Sequence, residues 1–307
     1  MIGPEAAAGT PSSGLSAPGA IDWVQHWRHL VEARVAQAAR LRRPSLPEAT
    51  DFWGSMAPRF LDMAQAMPAS DPLLAAVRDL LSPDQTLLDV GAGAGRYTVA
   101  LARHVSGVVA VEPSPGMRDA LQAMIVKMAL PNVTVVPSSW EDADVEPAGV
   151  VLAAHVIYRT ADIVPFVRKL LAHTRERCLV AQRATQRFAS FAPLWEDIWG
   201  EPPAPEPGFL DFYNLLFQLG VSADAHLFEA WGQNWASLDE AADAVAHYLL
   251  LPPDSEHRAR IRRFLEQTLI VREGHWAQPL PTRTAIVSLP PSSDRARGAQ
   301  APPAPTA

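Results

Sequence analysis

The sequence predicts a doubly wound α/β domain on a mostly parallel sheet, with an amino-terminal helical cover and a helical insertion after the fifth strand. Three observations predict it. Continuous apolar runs of strand length recur between segments of helical period, as in a parallel sheet covered on both faces by crossover helices. The first crossover, "GAGAG" at 91–95, is stripped of side chains at a junction of two buried elements, where glycine sacrifices packing and backbone entropy for a close backbone approach. The rhythm then breaks after residue 183, where helices and prolines dominate.

The elements follow in order. "IDWVQHWRHLVEARVAQAARLRRP" places Val24, Trp27, Val31 and Val35 at helical spacing, with Trp23 and Leu30 widening the apolar face and Pro44 as the stop. "DFWGSMAPRFLDMAQAM" is a shorter, weaker helix, and "DPLLAAVRDLL" opens on an Asp cap followed by Pro72. "TLLDV" (86–90) is strand one and "RYTVALARHV" its helix; "GVVAVEP" (107–113) is strand two and "PGMRDALQAMIVKM" its helix. "VTVVPSS" (133–139) and "GVVLAAHVIY" (149–158) are strands three and four, "ADIVPFVRKLLAHT" a helix and "CLVAQR" (178–183) strand five. The segment 184–280 holds "SFAPLWEDIW", the proline-rich turn "GEPPAPEPG", a helix "FLDFYNLLFQL", a strand "DAHLFEA", and the helices "SLDEAADAVAHYLL" and "DSEHRARIRRFLEQTLI". "RTAIVSL" is a closing strand. The expected organisation is a tail at 1–20 and one domain over 21–289, divided into a cover (21–71), a cofactor-binding core (72–183), a substrate cover (184–280) and the closing strand (281–289). A second tail follows at 290–307; both tails are rich in Ala, Pro, Gly and Ser and bury little apolar surface.

Bulk properties narrow the function. The net charge of -7 argues against nucleic acid as a partner, since binders of polyanions present a basic field. The basic clusters are short: Arg40, Arg42 and Arg43, then Arg258, Arg260, Arg262 and Arg263, and solvated helix ends account for both. Cys178 is the one cysteine, which excludes an intrachain disulfide and a cysteine-rich metal site. The histidines are scattered without ligand spacing, so no metal is expected. No run reaches the length of a membrane-spanning helix, and residues 1–20 lack the basic-then-apolar pattern of a signal peptide. The expected setting is cytoplasmic, with no membrane partner.

In an open parallel sheet, ligands sit beyond the carboxyl ends of the strands, where the strand order reverses. A dinucleotide-binding turn there reads G-x-G-x-x-G; this one reads G-x-G-x-G, and Arg96 stands where the last glycine belongs. A dinucleotide oxidoreductase is therefore a distant alternative. "LLDVGAGAGRYTVALA", with "VVAVEPSPGM" one strand later, resembles instead the cofactor site of class I S-adenosylmethionine-dependent methyltransferases, a Rossmann-like family. The resemblance covers residues 72–183. It implies that Gly91, Gly93 and Gly95 let the backbone pass close to the methionine part of S-adenosylmethionine, that Asp89 fixes the loop and faces the cofactor's amino group, and that Glu112 accepts both ribose hydroxyls, for which a carboxylate has the acceptor capacity. Pro113, Ser114 and Met117 follow where the family lines the adenine pocket. The family often places an Asp after strand three; here "PSSWED" stands instead, leaving Ser138 or Ser139, a main-chain group and the ring of Trp140 as the candidates for the adenine contact.

Methyl transfer from a sulfonium is an in-line displacement in which positioning supplies most of the rate, and a base is needed only if the bound nucleophile is protonated. His155, with Tyr158 beside it, is the candidate base or orienting group at the end of strand four; the plainer reading is that His155 bonds the cofactor's methionine end or closes the pocket. "HVIY" replaces the Asn/Asp-Pro-Pro-Tyr/Phe of base-amino methylation, and Cys178 lies inside a strand rather than at a catalytic end. A small-molecule acceptor with an O or N nucleophile is expected, with S-adenosylhomocysteine as the product; the alternative is a non-catalytic or protein-directed member whose covers dock a macromolecule. Phe52, Trp53 and Phe60 are candidate lid residues. Phe188, Phe191, Trp195, Trp199, Phe209, Phe212, Tyr213 and Phe217 are candidates for a substrate pocket, most of them expected in the core because spacings such as Trp195 to Trp199 are one helical turn.

Overall fold

The computed structural model describes residues 21–41, 53–65, 71–186, 189–230, 234–252 and 255–291. Its centre is a seven-stranded sheet in the order β3-β2-β1-β4-β5-β10-β6: β1 is Thr86–Val90, β2 Gly107–Val111, β3 Val133–Val136, β4 Ala148–Ala154, β5 Thr174–Arg183, β6 Asp224–Ala230 and β10 Thr282–Leu289. β1 to β5 run parallel, whereas β10 is antiparallel to both β5 and β6.

Period-two alternation sorts the strand residues onto two faces. Leu88, Val90, Val151, Ala153, Cys178 and Val180 meet α1 (Trp23–Leu41), α6 (Ile163–Ala172) and α8 (Phe209–Gln218) on one side. Leu87, Val150, Leu152, Leu179 and Ala181 meet α3 (Pro72–Arg78), α4 (Arg96–Leu101) and α5 (Pro115–Lys127) on the other. The helix starts are sequence-coded: the Asp71 carboxylate accepts from the Leu74 amide ahead of Pro72, and the Ser114 hydroxyl accepts from the Met117 amide ahead of Pro115.

A third apolar cluster is built by the insertion: α7 (Ala192–Trp199), α9 (Leu238–Tyr248) and α10 (Arg258–Thr268) bury Phe191, Trp195, Trp235, Val245, Ile261 and Leu265. Beside it stands a small antiparallel sheet, β7 (Asn234–Trp235), β9 (His275–Ala277) and β8 (Ile270–Arg272) in that order, which the sequence reading did not foresee. The α10 arginines are surface helix residues: Arg258 pairs with Asp243, Arg260 with Asp197, and Arg262 with Asp239 and Glu266.

Three strand boundaries depart from the sequence reading by three residues or more. β3 ends at Val136, three residues early, because Pro137 has no amide to continue a ladder. β4 stops at Ala154, because His155 adopts φ 61° and a 3-10 turn follows at Ile157–Arg159. β5 begins at Thr174, four residues early, with a polar, exposed stretch before Cys178. The cover folds as a 3-10 turn, Gly54–Met56, leading into α2 (Ala57–Gln65). No described helix is long and apolar enough to cross a membrane.

Candidate active site

The turn after β1 is tied to the end of β2: the amides of Gly91 and Ala92 both donate to the Val111 carbonyl, at 2.8 and 3.1 Å. Gly91, Gly93 and Gly95 all take positive φ (71°, 57° and 91°), where a side chain costs about 1–2 kcal/mol. Their surroundings differ. A Cβ on Gly91 would lie 2.3 Å from a methyl of Val156, and one on Gly95 2.6 Å from a methyl of Leu121, but one on Gly93 meets nothing within 4 Å. Packing excludes side chains at the outer two glycines; the middle one borders open space.

Asp89, the penultimate residue of β1, is buried and accepts a hydrogen bond from the Thr98 hydroxyl at 2.5 Å. Burial pushes its carboxyl up to about 6, opposed by the Thr98 bond and reinforced by the negative charge of Glu112. Glu112, just past β2, is 5% exposed, and its two oxygens accept from the amides of Gly93 and Ser114, both at 2.8 Å. One carboxylate thus clamps the glycine turn of the first crossover to the amino terminus of α5. Met117 is buried between the turn and the cover, in a cluster with Ala57, Ala94 and Ala120 that Met56, Phe60 and Leu61 extend. Pro113 is exposed, and its carbonyl accepts from the Arg118 guanidinium.

Across the strand-order reversal between β1 and β4 lies the second group. His155 holds its left-handed backbone with its amide donating to Ala181, and its Nδ1 is 2.9 Å from the Tyr158 hydroxyl. That hydroxyl oxygen accepts from the Arg183 amide at 2.8 Å, and the Arg183 guanidinium lies 3.9 Å above the Tyr158 ring. A non-glycine residue at positive φ is uncommon, though histidine is among the types that adopt it most readily; here the ends of β4 and β5 hold it. The Gly91–Val156 contact joins the two groups.

Two sequence-named candidates stand apart. Trp140 is 4% exposed, donates its indole N–H to the Phe166 carbonyl at 3.3 Å, packs edge-on against Phe166 and His173, and carries the Lys169 ammonium over its ring; these contacts make it a wedge under α6. Ser139 spends its hydroxyl locally, donating to the Asp142 carboxylate at 2.8 Å and accepting from the Asp142 amide. Trp53 is exposed and meets Phe60 edge-on at 6.2 Å. Phe191, Trp195, Phe209 and Phe212 are core, while Phe217 is exposed. Phe52, Phe188, Arg42 and Arg43 lie outside the described residues.

Residues that the sequence reading missed are Thr98, Gly54, Gly116 and the Arg183–Glu206 pair. Thr98 carried a signal: it sits one turn before Leu101, on the face that packs inward, and a polar group there requires a partner. Gly116 carried none; its importance comes from Gly54, 2.7 Å from where its Cβ would stand.

Residues 87–177 match the family model described as a methyltransferase domain. An uncharacterised protein of Haemophilus influenzae is 32% identical over 148 residues, 48% of this chain and 54% of that protein, so the match spans about half of the relative's length. Among solved structures, a Bacillus halodurans protein proposed to be a methyltransferase superposes with a TM-score of 0.52 at 13% identity, covering 74% of this chain and all of that one. The YcgJ protein of Bacillus subtilis gives 0.51 at 12% identity, covering 72% of this chain and 98% of its own. These two likenesses are of fold. Residues 87–177 therefore match a methyltransferase domain, and the sheet they anchor shares its fold with these two structures.

Proposed function

We propose that the chain transfers a methyl group from S-adenosylmethionine to an O or N nucleophile of a small molecule. The observation that carries this is the Glu112 clamp: a buried carboxylate at the carboxyl end of β2 holds the Gly93 amide at 2.8 Å, while the Cβ position of Gly93 faces open space. The residues present fit the cofactor. A backbone free of side chains borders the crevice, Glu112 is a carboxylate, a group that accepts from hydroxyl donors, and Asp89 is held by Thr98 at the turn's entrance.

Gly91, Gly93, Gly95, Asp89 and Glu112 would hold the cofactor, with Pro113, Met117 and the cover over its nucleoside end. Bound there, the cofactor supplies an electrophilic methyl on a sulfonium. The remaining roles belong to this chain. Orientation of the acceptor falls to the ends of β4 and β5, because positioning dominates a displacement in which charge is lost. Nε2 of His155 accepts a proton when Nδ1 carries the hydrogen and donates it to the Tyr158 oxygen, which then receives two donors, Nδ1–H and the Arg183 amide. Trp140 supports α6.

Incubation with methyl-labelled cofactor and a metabolite extract tests this. Label in a small molecule, at least tenfold reduced by His155→Ala, is the expected result. Label in protein, or turnover indifferent to both His155→Ala and Glu112→Ala, would refute it.

A further inference from the structure

The insertion and α1 line an open pocket of about 250 Å³, whose walls include Arg34 of α1, Gln186, Pro203, Ala204, Glu206 and Tyr248 of α9. That is below the roughly 300–1,000 Å³ of sites for drug-sized ligands, so its occupant is small. Its polar groups form a chain back to the candidate active site. The Arg34 guanidinium rests 4.9 Å from the Trp195 ring centre and 5.5 Å from that of Tyr248, so aromatic faces fix its position. The Glu206 carboxylate stands 3.5 Å from Arg34 and, by its other oxygen, 3.7 Å from Arg183. Arg183 in turn lies on the Tyr158 ring.

Charge is unbalanced in this group. Two guanidiniums, with side chains 20% and 23% exposed, share one carboxylate at distances longer than a bidentate pair would adopt. The walls at Pro203, Ala204 and Tyr248 are largely apolar.

Resting on the methyltransferase reading above, we propose that this cavity is the acceptor pocket and that the acceptor carries a carboxylate on a small, flat apolar body. The carboxylate takes the place of Glu206 between Arg34 and Arg183. The body lies against Tyr248 and the Pro203–Ala204 wall. Glu206 is the resident counter-ion, offsetting the repulsion between the two guanidiniums when no acceptor is bound.

Titration calorimetry with benzoate and its neutral isostere benzamide, on the full chain with and without S-adenosylhomocysteine, tests the pocket. Wild type should bind benzoate saturably and benzamide at least tenfold more weakly. Arg34→Met, which keeps the packing stem, should lose at least tenfold for benzoate. Glu206→Gln should gain at least threefold for benzoate and nothing for benzamide, an increase that a merely structural role for Glu206 does not produce. Equal binding of the two probes, no saturable benzoate binding, or no gain in Glu206→Gln overturns the proposal. The S-adenosylhomocysteine titration stands separately: a protein that binds it but fails the benzoate arms keeps its cofactor reading and loses this pocket, and one that binds benzoate but not the nucleoside does the reverse.

Discussion

The three glycines of the first crossover look equivalent in sequence and are not equivalent in space. Gly91→Ala drives a Cβ to 2.3 Å from Val156 at φ 71°, whereas Gly93→Ala meets nothing within 4 Å at φ 57°. Thermal melts should show Gly91→Ala destabilised by about 3 kcal/mol, combining left-handed strain with overpacking. Gly93→Ala should lose about 1–2 kcal/mol of stability from strain alone but most of its cofactor affinity, by calorimetry, because its new methyl enters the crevice. Asp89 gives a pH signature. Burial raises its carboxyl from the ordinary 3.8 to about 6, so between those values the folded chain binds more protons than the unfolded one and loses stability as pH rises; above about 6 the loss is complete. Urea midpoints from pH 4 to 7 should show this fall in wild type relative to Asp89→Asn. A flat difference would remove the buried acid from the account. At this scale the family resemblance singled out the glycines and the two acids, and the structure brings Glu112 onto the Gly93 amide. The sequence did not reveal Thr98 as the partner of Asp89, since that pairing depends on which face of α4 turns inward.

Elements bring these residues to one place, and the cover is the least secured of them. The cover's 3-10 turn places Gly54 against Gly116 of α5, with the Gly54 Cα 2.7 Å from where a Gly116 Cβ would stand. Gly116→Ala favours the α5 helix by up to about 1 kcal/mol yet pushes the cover outward. Hydrogen exchange should therefore rise in residues 53–65 while the global melt holds or increases; unchanged exchange there would show that the cover does not rely on this contact. Boundaries explain where pattern reading stopped. "GVVLAAHVIY" reads as one apolar strand, but periodicity carries no sign of the left-handed His155 that ends it at Ala154. The β8–β9 hairpin turns on Glu273 and Gly274, both at positive φ (51° and 78°), a two-residue turn geometry that Asn-Gly or Asp-Gly would have advertised. Trp140 was a candidate for ring contact or for packing because it follows β3; the structure packs it against Phe166 and His173, a tertiary fact no local spacing contains.

The whole molecule is a sheet with two apolar faces and a third, separate cluster in the insertion. Alternating strand and helix made the sheet legible. The insertion resisted because its helices pack on one another around Trp195 and Trp235, leaving long-range partners that amphipathic period alone does not identify. Cys178, in the middle of the sheet, monitors the assembled core: it is fully buried and burial pushes its thiol up to about 12. A thiol-specific reagent should label it only at the rate of global opening, with denaturant dependence matching the full unfolding transition. The central claim concerns the crevice at the strand-order reversal, and calorimetric titration of S-adenosylmethionine into wild type and Glu112→Ala tests it most directly. A lost charged hydrogen bond is worth about 2 kcal/mol, so the variant should bind at least about thirtyfold more weakly while remaining folded. Equal affinities in the two proteins, or no binding by either, would contradict the account.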